Sequence, residues 1–252
     1  LLRVHSKAHV ERVFSSAPDT GHIHLDADTV MSPGSLEAAL HSAGAAVHAT
    51  ELVFRDDIDD AFCCARPPGH HATRDTAMGF CLFNNIAVAA AHALAKLDLK
   101  RVAIIDFDVH HGNGTEDIFL DDERVMFCST YQRFLYPGIE AAQRPGRMIS
   151  VGLQPGDGSS EFRSAVEDQW MPAIDAFQPE MFFISAGFDA HTDDDIGQLN
   201  FVDDDFAWVT NLMVDAAERH AKRRVVSCLE GGYELPSLAR SAAMHIKTLI
   251  GP

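Results

Sequence analysis

"VAIIDFDVHHGNGTEDIF", residues 102–119, opens as a buried strand and then turns polar. The apolar run 102–107 has no solvent-facing alternation, which is the pattern of a strand covered on both faces. Where apolar residues should continue stand Asp106, Asp108, His110 and His111, followed by Gly112, Asn113 and Gly114. The same arrangement recurs elsewhere. Apolar runs at 61–65, 181–186 and 225–229 lead into "RPPGHHA" (66–72), "GFDAH" (187–191) and "EGGYE" (230–234). Further strands are predicted at 125–129 and 148–152, and helical spacing covers 35–52, 84–97, 161–177, 206–222 and 238–249. Strand and helix alternate, so the expected fold is one α/β domain with a mainly parallel sheet and helices on both faces. Such sheets bind ligands outside the carboxyl ends of their strands, so the four polar strand ends predict one site.

Composition narrows the function. A 46% hydrophobic content across 252 residues supplies a core and excludes disorder. No apolar run approaches the roughly 20 residues of a membrane helix. The opening "LLRVHSKAHVERVF" has charges and histidines where a signal peptide has its apolar centre, and it lacks an initiator Met, as a trimmed fragment would. Cys63, Cys64, Cys81, Cys128 and Cys228 form no C-x-x-C pair and read as reduced thiols of a cytoplasmic protein. Net charge is −17, from 37 acidic and 20 basic residues. That disfavours direct nucleic-acid binding and is compatible with either a cationic substrate or a solvated acidic surface.

The polar strand ends carry residues with specific chemistry. If the strand ran on, alternation would point Asp106, Asp108 and His110 the same way. A carboxylate and an imidazole two residues apart can hold one metal ion, and Asp189 can complete the set while leaving room for water or substrate. Those donors suit zinc, and also Fe(II). Alone, a D-x-H is weak, because such residues also cap helices, form turns or sit satisfied in cores. Asp193–Asp195 read as a solvated loop. His70 and His71 follow two prolines and a glycine, and read equally as an exposed loop pair or as a proton-handling dyad. Tyr233 packs a rim or donates to a developing oxyanion.

Taken together, "RPPGHHA", "GFCLFNN" (79–85), "IIDFDVHHGNGTEDIF" (104–119), "YPG" (136–138), "SAGFDAH" (185–191) and "LEGGYE" (229–234) resemble the histone deacetylase family and its bacterial relatives. Those relatives are the acetylpolyamine amidohydrolases and acetoin-utilisation proteins. The stretches keep the family's order, and "RPPGHHA" and "HHGNG" are similar to its class II branch. Upstream, "VHSKAHVERV" (4–13) and "DTVMSPGSLEAAL" (28–40) also resemble it.

The resemblance implies an arginase/deacetylase fold over residues 1–252, forming a catalytic domain short of the family's N-terminal segment. It implies a zinc-dependent deacetylase acting on acetylated lysine of a peptide or protein, or on an acetylpolyamine. Matched residue by residue, the metal ligands are Asp108, His110 and Asp189. The catalytic group is His70, His71 and Tyr233, with Asp106 orienting His70 and Asn113 contacting His71. Phe80 and Tyr136 wall the channel, with Gly79 and Ile196 near its base. A structural K+ or Na+ is implied at Asp106, Asp108, His110 and Ser129, and a second at Phe119, Asp122 and Val125. The expected setting is the cytoplasm, without membrane or direct nucleic-acid contact, and a homo-oligomer is compatible with it.

Two positions depart from the family pattern: Tyr131 stands where a histidine is usual, and Asp195 where a proline is usual. The competing reading is a non-catalytic acyl-lysine binding module or scaffold.

Overall fold

The apolar run that opens the quoted stretch forms a strand in which every residue is buried, Val102–Asp106. In the computed structural model, which describes residues 1–251, it lies inside a six-stranded parallel sheet. The chain begins with α1 (Lys7–Ser15), a short hairpin of β1 (Ile23–His24) and β2 (Val30–Met31), and α2 (Ser35–Phe54). It continues through β3 (Asp60–Cys63), α3 (Asn85–Lys96), β4 (Val102–Asp106), α4 (Asn113–Phe119), β5 (Val125–Gln132) and β6 (Met148–Leu153). Then follow α5 (Ser159–Ala165), α6 (Met171–Phe177), β7 (Phe182–Ala186), α7 (Asp203–His220), β8 (Val225–Leu229) and α8 (Leu235–Ile250).

The sheet order is β3-β8-β7-β4-β5-β6. From β4 the chain steps outward to β5 and β6, then returns to the other side of β4 as β7. The reversal between β4 and β7 is the switch point at which such sheets open a crevice.

Alternate residues of β4 feed opposite cores. Ala103 and Ile105 pack with α5, α6 and α7 through Phe162, Ile174, Phe206 and Met213. Val102 and Ile104 pack with α2 and α3 through Ala46, Val53, Ile86 and Ala90. A third cluster, including Val13, Met31, Leu82 and Phe83, fixes α1 and the hairpin to the loops beside the strand ends.

The expected single helix at 161–177 is instead two helices joined by a π-helical turn, Val166–Trp170. Pro172 has no N–H to donate and its ring crowds the carbonyl four residues back, so a wider turn before it takes up the misfit. α1, α4 and the hairpin were not expected. At the other end, α8 starts directly behind Tyr233, because the Glu234 side chain accepts the Ser237 N–H and Pro236 sits in the first turn.

Candidate active site

The expected alignment of Asp106, Asp108 and His110 by strand alternation does not operate, because β4 ends at Asp106. Two successive side-chain turns bring them together instead. Asp106 Oδ1 accepts the Asp108 N–H at 3.2 Å, and Asp108 Oδ1 accepts the His110 N–H at 2.8 Å. Asp189, just past β7, accepts the Val109 N–H at 2.9 Å, and Asp108 Oδ2 accepts the Gly231 N–H at 2.8 Å. The ends of β4, β7 and β8 are thereby tied to one another.

These contacts leave Asp108, His110 and Asp189 with ligand atoms within 4.8 Å of one another. His110 Nδ1 is 2.9 Å from Asp108 Oδ1 and 3.2 Å from Asp189 Oδ2. Donors around a tetrahedral zinc at about 2.0–2.1 Å stand roughly 3.3 Å apart, so the spacing fits. Asp189 Oδ2 is buried and makes no well-aligned hydrogen bond. A Cβ on Gly231 would lie 2.1 Å from that oxygen, so only glycine leaves the space open. Burial raises the Asp189 carboxyl to about 6, helped by the neighbouring Asp108. Two carboxylates so enclosed need a cation between them. The residues therefore fit a divalent ion.

His70 and His71 are both buried, which removes the exposed-loop alternative. Their ring centroids are 4.0 Å apart. His70 Nδ1 donates to Asp106 Oδ2 at 3.0 Å, and His71 Nδ1 donates to Asn113 Oδ1 at 2.7 Å. Burial disfavours a charge on either ring. Around His70 this is outweighed by Asp108, Asp106 and Glu230, which hold it well above the ordinary histidine value. Around His71 the charge of His70 adds to burial and holds it well below. The surroundings thus favour the charged form of His70 and the neutral form of His71.

The phenol of Tyr233 is raised by burial and then by Asp108 and Asp189, so it keeps its proton. Asp194 Oδ2 accepts the backbone N–H groups of Tyr233, at 2.6 Å, and Glu234, at 3.0 Å. Asp194 is buried, which corrects the expectation that residues 193–195 are a solvated loop. Asp193 does stay at the surface, where it pairs with Arg240 at 2.9 Å.

A channel of about 280 Å³ leads to these groups. Phe80 and Tyr136 form its walls: the Tyr136 ring is 5.0 Å from His71 and the Phe80 ring 6.1 Å from Tyr233. Gly79 lies against His71, where an added Cβ would stand 2.3 Å from the ring. Ile196, expected near the base, lines the same channel and is 42% exposed, as is Tyr233. Asp28, not foreseen from sequence, lines the same channel, and one of its oxygens accepts from Thr29 Oγ1 and the Gly79 N–H. A larger cavity of about 430 Å³ lies beyond Tyr136. Tyr131 packs there against His111, ring centroids 5.0 Å apart and tilted by 43°, away from the channel, and none of the metal-capable groups lines that cavity.

The two expected monovalent-cation positions differ. Ser129 is paired in register with Asp106, and its Oγ is buried without a hydrogen-bond partner from the protein. The second set is corrected. Arg147 Nη1 donates to the carbonyls of Phe119, Asp122 and Val125 at 3.0, 3.1 and 3.3 Å, and Nη2 donates to that of Leu120. A guanidinium already supplies the positive charge those carbonyls can accept.

A family model described as "Histone deacetylase domain" matches residues 1–249. The chain is 38% identical to an uncharacterized protein of Synechocystis sp., across 99% of its own length and 81% of that protein's. It is 40% identical to a histone deacetylase-like amidohydrolase of Pseudomonas aeruginosa, across 92% of its own length but 63% of that relative's. A crystal structure of the HDA15 HD domain superposes with a TM-score of 0.90 at 34% identity, covering 98% of this chain and 72% of the other.

Proposed function

The chain belongs to the histone deacetylase family, and on that premise we propose that it is a metal-dependent amidohydrolase removing acetyl groups from the amine end of an extended chain. One observation carries this reading. Three metal-capable donors and a pair of imidazoles held in opposite senses gather beneath a single channel that His71, His110 and the protonated phenol of Tyr233 line.

When bound by Asp108, His110 and Asp189, a divalent ion supplies a Lewis acid that polarises an amide carbonyl and acidifies a water. Two carboxylates and one imidazole suit zinc and also Fe(II). His71 carries its proton on Nδ1, toward Asn113, so its Nε2 lone pair is free to take a proton from the attacking water. The Tyr233 hydroxyl donates to the oxygen that gains charge as the carbonyl becomes tetrahedral. The imidazolium of His70, held by Asp106, is placed to return a proton to the leaving amine. Ser129, with Asp106 and the backbone of Asp108 and His110, is the proposed seat of one K+ or Na+.

Phe80 and Tyr136 can flank an alkyl chain by apolar contact alone, which selects length and not identity. Acetyl-lysine in a protein and an acetylated polyamine both fit. Asp28 at the channel and a net charge of −17 favour a substrate that is cationic beyond the acetylated end. The five free thiols support a reducing, cytoplasmic setting.

The test loads the purified chain with zinc or Fe(II) and measures acetate release from an acetyl-lysine peptide and from an N-acetylpolyamine. Release from one and not the other identifies the substrate class. Tight metal and peptide binding with no release from either leaves a binding module and ends the hydrolase reading.

A further inference from the structure

We propose that Glu230, the first residue after β8, is the positioning residue of the histidine dyad: its carboxylate holds the backbone of the loop that carries His70 and His71. Building on the hydrolase reading, the inference assigns this residue a task performed through His70 and without contact to substrate.

Glu230 is buried, with 6% of its surface exposed. Its Oε2 accepts two successive amides, Gly69 N–H at 2.7 Å and His70 N–H at 3.1 Å. Its Oε1 accepts the Ser185 hydroxyl at 2.9 Å. Its own N–H donates to the Ala186 carbonyl at 3.0 Å. One side chain thus joins the loop after β3 to the ends of β7 and β8.

The loop needs such a hold. β3 stops at Cys63, so seven residues before the dyad the chain leaves the sheet's hydrogen-bond ladder. Between Cys63 and His70 the loop is anchored through the Pro67 carbonyl, which accepts from Ser42 and Asn85. At the dyad end itself, the His70 carbonyl accepts the Gly114 and Thr115 N–H groups at 3.0 and 3.1 Å, and the Gly69 and His70 amides find their partner in Glu230. One carboxyl oxygen accepts both amides at once, whichever protonation state burial leaves Glu230 in. A lost acceptor would leave two buried N–H groups unsatisfied beside the reacting centre.

Displacing the His70 backbone moves both rings relative to Asp106 and Asn113. A misplacement of about 1 Å in a catalytic group can cost roughly 10²-fold in rate. Glu230 itself is neither one of the three metal-capable donors nor part of the channel lining, so the loss should fall on kcat more than on KM.

The test compares Glu230→Ala and Glu230→Gln with the parent chain, metal-loaded. The readouts are kcat and KM on an acetyl-lysine peptide, metal content, and amide hydrogen exchange at Gly69 and His70. The Ala variant should lose about 10²-fold in kcat, keep its metal and its KM within a few fold, and exchange both amides faster. The Gln variant retains an amide oxygen that can accept both N–H groups, so it should recover most of the lost rate and the protection. Normal turnover in the Ala variant, a Gln variant no better than Ala, or a rate loss matched by metal loss would each overturn the proposal. Where the Ala variant does not fold, the Gln variant decides alone: protected amides and near-parental kcat support the role, and fast exchange at Gly69 and His70 refutes it. A parent chain that releases no acetate would defeat the hydrolase reading, while the exchange measurement would still decide the role of Glu230.

Discussion

An asparagine at position 189 keeps the shape of the side chain and removes one of the two negative charges facing His110. Asp189→Asn should therefore lose metal at micromolar protein, and turnover with it, as measured by elemental analysis of the desalted variant. A full equivalent of retained zinc would contradict the ligand assignment. Tyr233→Phe separates charge stabilisation from packing. Donors made mainly in the transition state affect kcat, and loss of one oxyanion donor costs roughly 10²–10³ in rate, about 3–4 kcal/mol. Metal content and KM should hold in that variant; a near-normal kcat with a lowered melting temperature would make the tyrosine structural. The residues in these two tests were legible in the sequence because Asp, His and Tyr at strand ends are chemically distinctive. Asp194 and Glu230 were not. What they hold are backbone N–H groups, which every residue but proline has, so nothing in the partner's identity announces the contact.

At the scale of elements, strands with both faces covered were the easiest to read, since an unbroken apolar run needs no partner to be recognised. Their ends were harder. β5 runs on to Gln132 because Thr130–Gln132 pair with Val151–Leu153, a pairing that neither segment signals by itself. The short α4 is likewise tied down from outside, by Arg147 reaching the carbonyls at its C-terminal end. Arg147→Met should keep the apolar stem and release four carbonyls together. A cost of about 1–3 kcal/mol is expected, the range for a charged hydrogen bond lost from a partly buried site. Denaturant unfolding checks this, with metal binding at Asp108, His110 and Asp189 preserved. Unchanged stability would mean that water satisfies those carbonyls equally well.

For the whole molecule, acid stability is set in part by buried histidines outside the metal-capable set. His245 is fully buried between Thr210 and Ser227, at 2.6 and 2.9 Å, and burial lowers its pKa to about 3. Burial, then the neighbouring His9, lowers His5 to about 4. Above the unfolded value of about 6.5, neither state takes up these protons and stability is flat with respect to them. Below it the unfolded chain binds protons that the folded chain refuses, so stability falls as pH drops from about 6.5 toward 4 and 3. Between pH 7 and pH 5 the urea midpoint of His245→Phe should gain on that of the parent chain; an equal pH dependence in the two would rule out this source. The global topology was legible as an α/β class and no further, because strand order depends on which distant runs meet. β3, which leads to the dyad, is the edge strand beside β8, and the Gly69–Glu230 bond spans 161 residues. A ribosome releases β3 well before β8, the strand it pairs with. In that interval the strand ahead of the His70–His71 loop waits as an open edge, exposed to chaperones or to a neighbouring nascent chain, and it gains its place in the sheet when β8 slides in beside it.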